Sequence, residues 1–411
     1  MFVLLLVGCC ATRLLAADWT EFRGPSQQGH AEVSEVPLRW SETENIAWKL
    51  ELPGEGWSSP VVANDRVYLT AAVPLPNTDP PDYWLAALCV DAKSGQGLWS
   101  TNVFPEVGEK SPRIHSKNSH ASPTPIVEGN RLYVHFGHMG TACLDLKGKV
   151  LWRNNALAYE PVHGNGGSPV IVGPGVIFSC DGAKNPVVVA LNKATGRLAW
   201  STPRPVTPAK TFSFCTPLPI QVNGQTQVIV PGAGAVCAYD PATGEELWHV
   251  RYGDGYSVIP RPVYGHGLLY VCTGYDSPSV IAIRPDGHGD VTDTHVAWTF
   301  KKGAPHTPSP LLVGDELYVV SDRGVATCLD ARSGESVWQE RLGGNFSASP
   351  VLAAGRIYLQ DENGKTHVLA AGRTFEKLAE NSLPERTLAS LAVQEGTIFL
   401  RGDKHLYRIG Q

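Results

Sequence analysis

The sequence predicts an all-β protein: an eight-bladed β-propeller of four-stranded antiparallel blades, its ring closed by an N-terminal strand that completes the last blade. Three observations predict it. A polar turn running into a tryptophan recurs as DAKSGQGLW from Asp91, DLKGKVLW from Asp145, NKATGRLAW from Asn192, DPATGEELW from Asp240 and DARSGESVW from Asp330, and each copy keeps Gly four residues before Trp. An apolar strand opening on a Ser-Pro-like pair precedes the phrases, as in SSPVVANDRVYL from Ser58 and ASPVLAAGRIYL from Ala348. The two ends of the chain complement each other, because LASLAVQEGTIFLRGDKHLYRIGQ from Leu388 holds three strands and lacks a fourth, while NIAWKLELPG from Asn45 is a lone strand. Pairing these ends removes exposed edges that would invite aggregation.

Residues 1–17 read as a leader. An apolar stretch from Phe2 to Ala11 and the small pair Ala16-Ala17 before Asp18 form an export signal, although no Lys or Arg precedes the run. Leu6-Val7-Gly8-Cys9 equally resembles a bacterial lipoprotein box, with Cys9 as the acylated, membrane-anchoring residue. Both readings place the chain in the periplasm or outside the cell. Residues 18–43 form an N-terminal strap, and removing its first part is expected to cost less stability than removing the strand after it. The propeller fills residues 44–411.

Within each blade a first strand meets a tight turn such as Asn64-Asp65 or Gly314-Asp315, then a β-rich second strand such as RVYL or ELYVV. A third strand ends at the Asp or Asn of the phrase, and a fourth carries the tryptophan. Such a meander of about 40 to 50 residues is the unit of a propeller blade. The Asp, Ser and Gly make the turn between third and fourth strands, where Gly supplies positive φ. The repeat tryptophans Trp48, Trp99, Trp152, Trp200, Trp248, Trp298 and Trp338 are expected to pack against the neighbouring blade. The fifth blade departs in a longer turn, RPDGHGDVTDTHVAW, and the seventh puts Leu378 where Trp belongs.

Composition agrees. Charged residues make up 18% of 411, while 42 Gly and 32 Pro suit short strands and tight turns. A net charge of −5 gives no basic footprint for nucleic acid, and no internal apolar run reaches the roughly 18 residues of a membrane span. Outside the leader stand seven cysteines with no Cys-x-x-Cys pair, several at one phase of the repeat in LCVD, ACLD and TCLD, which reads as small buried hydrophobes rather than a disulfide framework.

Repeats of the form Ala/Val-x-Asp-x-x-Thr/Ser-Gly-x-x-x-Trp resemble the PQQ-like repeats of the quinoprotein alcohol dehydrogenase superfamily. That resemblance implies the propeller but not one activity, since the superfamily includes calcium- and quinone-dependent dehydrogenases as well as the non-enzymatic propeller lipoprotein of the outer-membrane barrel-assembly machinery. The dehydrogenases resemble one another in clamping the quinone with two adjacent cysteines; here the adjacent pair is Cys9-Cys10, in the leader. The reading is therefore a non-catalytic binding or assembly scaffold with no cofactor. A quinone- or metal-dependent oxidoreductase, with pyrroloquinoline quinone and calcium, is the alternative.

Chain direction alternates along a meander, so loops between second and third strands and loops between blades emerge on one face, with the Asp-Ser-Gly turns on the other. The first face collects a candidate mouth: Trp57, His115, Lys117, Asn118, His120, His135, His138, His163, Asn165, Asp181, Lys184, His306 and Arg323. Two readings stay open for its histidines. Neutral imidazoles at 120, 135, 138 and 163 suit zinc or copper if they converge. Alternatively they belong to a polar and aromatic surface that recognises a protein, peptide, glycan or small molecule.

Overall fold

The computed structural model describes residues 17–78, 82–108, 114–157, 159–206 and 208–410. Residues 1–16 of the leader, including Cys9 and Cys10, lie outside the described residues. Eight antiparallel meanders follow one another along the chain. The first consists of Val61–Ala63, Arg66–Pro74, Tyr83–Asp91 and Gly97–Glu106. The next six occupy residues 126–154, 170–203, 218–251, 263–300, 311–341 and 351–382. The eighth has three strands of its own, Ala392–Gln394, Thr397–Arg401 and His405–Ile409, and takes its fourth from Ile46–Glu51. That strand runs antiparallel to the C-terminal one, Ile46 opposite Ile409 and Glu51 opposite His405. The ring is closed as the complementary ends predict.

Successive blades bury apolar faces against each other, so the core is a series of layers. Between the first two blades, Val61, Tyr68, Leu85 and Cys89 meet Val127, Leu132, Val134 and Leu144. All seven described cysteines are free and buried.

The recurring phrase works across blades. Each indole N–H reaches the next blade's turn: Trp48 donates to the carbonyl of Ala92 (3.1 Å), Trp99 to Leu146 (3.1 Å), Trp152 to Lys193 (3.0 Å), Trp200 to Pro241 (3.1 Å), Trp298 to Ala331 (3.1 Å) and Trp338 to Gly372 (3.1 Å). The ring then lies over the glycine of that turn. At Gly196, with φ +72°, a Cβ would stand 2.4 Å from the Trp152 ring, and at Gly95 2.7 Å from Trp48. Glycine is required here twice over, for its backbone angle and for the indole above it. The fifth-blade turn breaks the series. Its extra residues lay Gly289–Asp290 parallel to the outer strand of the fourth blade, Trp248 is fully buried beneath them, and its indole donates instead to Gln227 Oε1 (2.8 Å).

The strap is anchored along its length. It crosses the turn-side ends of the inner strands and is tied to most of the ring. Trp19, 1% exposed, exchanges two 2.8 Å backbone bonds with Val62 of the first blade. Thr20 accepts from Val127 of the second blade, Phe22 from Arg261 of the fifth (2.7 Å), and His30 Nε2 meets the Leu312 carbonyl of the sixth (2.7 Å). His30–Ala31 pairs parallel to Leu352–Ala353 of the seventh, and Asp18 accepts from Gln394 of the eighth (2.6 Å). The strap's Trp19, Val36 and Trp40 are buried in one layer with residues of the first, seventh and eighth blades.

Candidate functional site

The residue before the proline at the start of each inner strand points the way to the axis. It is Ser59, Thr124, Ser168, Thr216, Arg261, Ser309 and Ser349 in the first seven blades, and Ser390 stands there in the eighth. These positions form a ring, linked blade to blade in two runs of four. The Ser59 N–H donates to Thr124 Oγ1 (3.0 Å), Thr124 to Ser168 Oγ (2.8 Å) and Ser168 to Thr216 Oγ1 (3.0 Å). Arg261 donates to Ser309 Oγ (3.0 Å), Ser309 to Ser349 Oγ (3.1 Å) and Ser349 to Ser390 Oγ (2.9 Å). The fifth blade alone offers no hydroxyl. Its Arg261 guanidinium turns to the strap, donating to the Phe22 carbonyl and to Gln27 Oε1 (3.0 Å), with Glu21 Oε2 3.7 Å away.

Above this ring lies a cavity of about 320 Å³, with Phe22 of the strap in its lining. The strap converts an axial channel into a blind pocket open at the loop face. Its upper wall is aromatic: Trp57, Phe212, Phe214, Tyr256 and Tyr275, with His115 and His163 among them. The rings form a chain of edge and face contacts, His115 to His163 at 5.6 Å, His163 to Phe212 at 5.4 Å, and Phe212 to Tyr256 at 5.3 Å. Burial, with His115 alongside, holds the His163 imidazole below its usual range.

Residues 114–120 cross the mouth. The His115 N–H and the Asn118 amide both donate to the His163 carbonyl on one side (3.3 and 2.9 Å). On the other, Lys117 Nζ pairs with Glu362 of the seventh blade (2.7 Å), and Arg386 donates to the Ser116 carbonyl while lying 5.6 Å from the Trp57 ring centroid.

The structure gathers Trp57, His115, Lys117, Asn118 and His163 at the cavity and puts the other candidates elsewhere. His120 pairs with Glu106 (2.9 Å) and packs on Tyr83 in the first blade. His135 is buried, bonded through Nδ1 to Thr141 (2.8 Å) and packed on Phe178, and burial pulls its pKa down to about 3. His138 and Asn165 bond each other (2.9 Å), with Tyr159 donating to Asn165 (2.8 Å). Asp181 forms a buried two-point ion pair with Arg204 (3.1 and 2.6 Å). Lys184 is exposed near Glu160, and Arg323 is exposed. His306 stacks on Tyr275 at the edge of the pocket and donates its N–H to Asp322 (2.7 Å). Burial raises the Asp322 pKa, but hydrogen bonds from His306 and Thr307 outweigh it and hold the carboxylate below its usual range. The four histidines at 120, 135, 138 and 163 do not converge: each has its own local partners, and among the described residues no group of three His, Cys, Asp or Glu side chains assembles for a metal ion.

Sequence reasoning missed Phe22, Phe212, Tyr275 and the hydroxyl ring. The ring's signal was present as the Ser-Pro-like pairs, noted as strand starts only. Phe212 stands in TFSF with no repeat position to mark it, and the strap gave no sign that its Phe22 reaches the axis.

Comparisons with known proteins fit this architecture. The family described as "Outer membrane protein assembly factor BamB" matches residues 86–284 and 279–404. The factor of that name from Burkholderia pseudomallei is 25% identical over 325 residues, covering 76% of this chain and 73% of the relative. That from Yersinia pestis is 22% identical over 328 residues, covering 77% and 67%. Among solved structures, BamB from Moraxella catarrhalis superposes with a TM-score of 0.63 at 14% identity, over 89% of this chain and 97% of that one. Quinohemoprotein alcohol dehydrogenase from Comamonas testosteroni gives 0.68 at 12% identity, over 96% and 81%. At such identities the structural likenesses establish the propeller alone. The family match spans most of the ring, and this chain belongs to the PQQ-like propeller family described as outer membrane protein assembly factor BamB.

Proposed function

We propose that this chain is a non-catalytic scaffold of outer-membrane protein assembly, exported to the periplasm, which holds a protein partner on its loop face. The observation that carries the reading is the inequality of the two ends of the ring: the strap covers the turn end with its own bonds, whereas the loop end presents Trp57, Phe212, Tyr256 and Tyr275 around an open pocket. Aromatic side chains with polar tips suit protein recognition, supplying large contact area at small entropic cost. On this reading residues 1–17 are the export leader, residues 18–43 the strap and residues 44–411 the docking propeller. Cys9 is the acylation site if the leader is of the lipoprotein type, holding the mouth near a membrane.

The test is capture of partners by cross-linking in the native envelope. A variant carrying His115→Ala, Lys117→Ala and Tyr256→Ala is expected to lose the cross-linked partner, while Lys93→Ala, Lys193→Ala and Arg332→Ala on the turn face retain it. Loss only from the second variant would move the docking surface to the other end. Labelling with a palmitate analogue, abolished by Cys9→Ser, tests the anchor.

A further inference from the structure

The hydroxyl ring holds a donor set that the fold itself does not consume. A hydroxyl has one proton and two lone pairs. In the ring, Thr124, Ser168, Thr216, Ser309, Ser349 and Ser390 each use a lone pair to accept the N–H of the preceding blade. Ser349 gives its proton to Ser309 Oγ (2.9 Å). The protons of Ser59, Thr124, Ser168, Thr216, Ser309 and Ser390 meet no acceptor among the described residues, and all six side chains line the cavity. Four of them, Ser59, Thr124, Ser168 and Thr216, form a continuous arc of donors along the wall from the first blade to the fourth, and Ser309 and Ser390 face them from the other side.

A second, independent observation concerns charge. Under the cavity, Arg23 follows Phe22 in the strap and donates Nη2 to the carbonyl of Pro310, the residue after Ser309 of the ring (2.8 Å). Its Nε and Nη1 are buried with no hydrogen-bond partner in the described structure. Burial, with Arg261 nearby, pulls its pKa down to about 9, which still leaves it charged at neutral pH. Two guanidinium groups and one carboxylate, Glu21, 3.7 Å from Arg261, thus lie behind the floor that Phe22 makes, outside the cavity lining itself. An excess positive charge in a low-dielectric floor favours an anion above it.

The wall above is aromatic, and about 320 Å³ lies at the small end of ligand pockets, which run from about 300 to 1,000 Å³. We infer that the blind cavity takes a small monocarboxylate with an aromatic or apolar body, the carboxylate against the hydroxyl arc and the body against the aromatic wall. A single excess charge and neutral hydroxyl donors suit a carboxylate better than a phosphate, which draws arginine forks or lysines. The inference rests on the loop face being a binding face, as proposed above. The same carboxylate chemistry could come from a free acid or from the end of a polypeptide.

The test is calorimetric titration of the purified full chain with 3-phenylpropionate and its amide, and with Gly-Gly-Tyr as free acid and as C-terminal amide. In at least one pair the acid is expected to bind about tenfold or more tightly than the amide, and the pair that binds identifies the source. Ser168→Ala with Thr216→Val should weaken the acid about tenfold and leave the amide unchanged. Because those hydroxyls also accept backbone bonds, Ile259→Trp gives a second arm: it fills the cavity from its wall, keeps every ring hydroxyl, and should abolish binding without loss of the folded state. Equal affinity for acid and amide, absence of binding by both acids at millimolar concentration, or undiminished binding to Ile259→Trp would each overturn the inference. Lost partner capture by the loop-face variant, together with no acid binding, would sink this inference alone and leave the scaffold reading standing.

Discussion

The two ends of the ring use the same inner strands in opposite ways. At the turn end those strands meet the strap, and Trp19, Arg23 and Arg261, all nearly or fully inaccessible, are enclosed with it. At the loop end the strands begin with hydroxyls that bond sideways to the next blade, so the axis stays open beneath an aromatic rim. The guanidinium groups are enclosed with the strap, whereas the cavity wall carries hydroxyls below and aromatic rings above, with Lys117 at its mouth. One end is therefore expected to govern stability and the other binding.

The largest break in that division comes from Arg261→Met. It removes both strap bonds and leaves Glu21, whose pKa burial already raises, without its cation. Losing one member of a buried pair costs about 3 to 5 kcal/mol, and urea denaturation should show it. Trp48→Ala comes next. The residue is half-buried and gives up one bond to Ala92, so a loss of about 2 to 3 kcal/mol is expected, less than for a fully buried indole.

His135 sharpens the comparison, because it was assigned to the mouth but belongs to the core. Its folded pKa is about 3, against about 6.5 for an unfolded histidine. The unfolded chain therefore binds the extra proton in that window. Stability contributed by the neutral ring is present above about pH 6.5 and declines as pH falls toward 3, by up to about 1.4 kcal/mol per unit. His135→Leu should flatten this part of the stability profile measured between about pH 7 and pH 5. The smallest effect belongs to the rim: the triple change at His115, Lys117 and Tyr256 should shift stability by only a few tenths of a kcal/mol per site while removing binding. A rim variant that unfolds would erase the distinction between the ends.

Periodicity made the architecture legible. The Gly-to-Trp spacing reported the turn, and the missing eighth fourth strand reported closure, because both are local signals repeated at fixed phase. The partner of each glycine was not legible. Gly196 lies four residues before Trp200, yet the ring above it is Trp152 of the preceding blade, and no spacing within one phrase reveals a contact between two. Loop histidines failed for a related reason. His135 ends the strand Arg131–His135, whose last four residues are all buried, so position near a loop did not mean exposure. Asp181 followed a cysteine-bearing strand in the same way and found Arg204 from the far side of its own blade. In the strap, DWTEFRGPSQQG could be read as a preceding segment, but nothing in its composition marks Phe22 as a floor.

The strap runs directly into the strand that completes the eighth blade, so the chain itself places its near end, and what remains is to mark the blade under its far run. Arg261 supplies that mark. It is the single ring position without a hydroxyl in an otherwise hydroxyl series, and its guanidinium reads both the backbone at Phe22 and the side chain at Gln27. Like a key in a shaft, one odd residue holds the stretch from Phe22 to Gln27 on the fifth blade, and so keeps Phe22 on the axis.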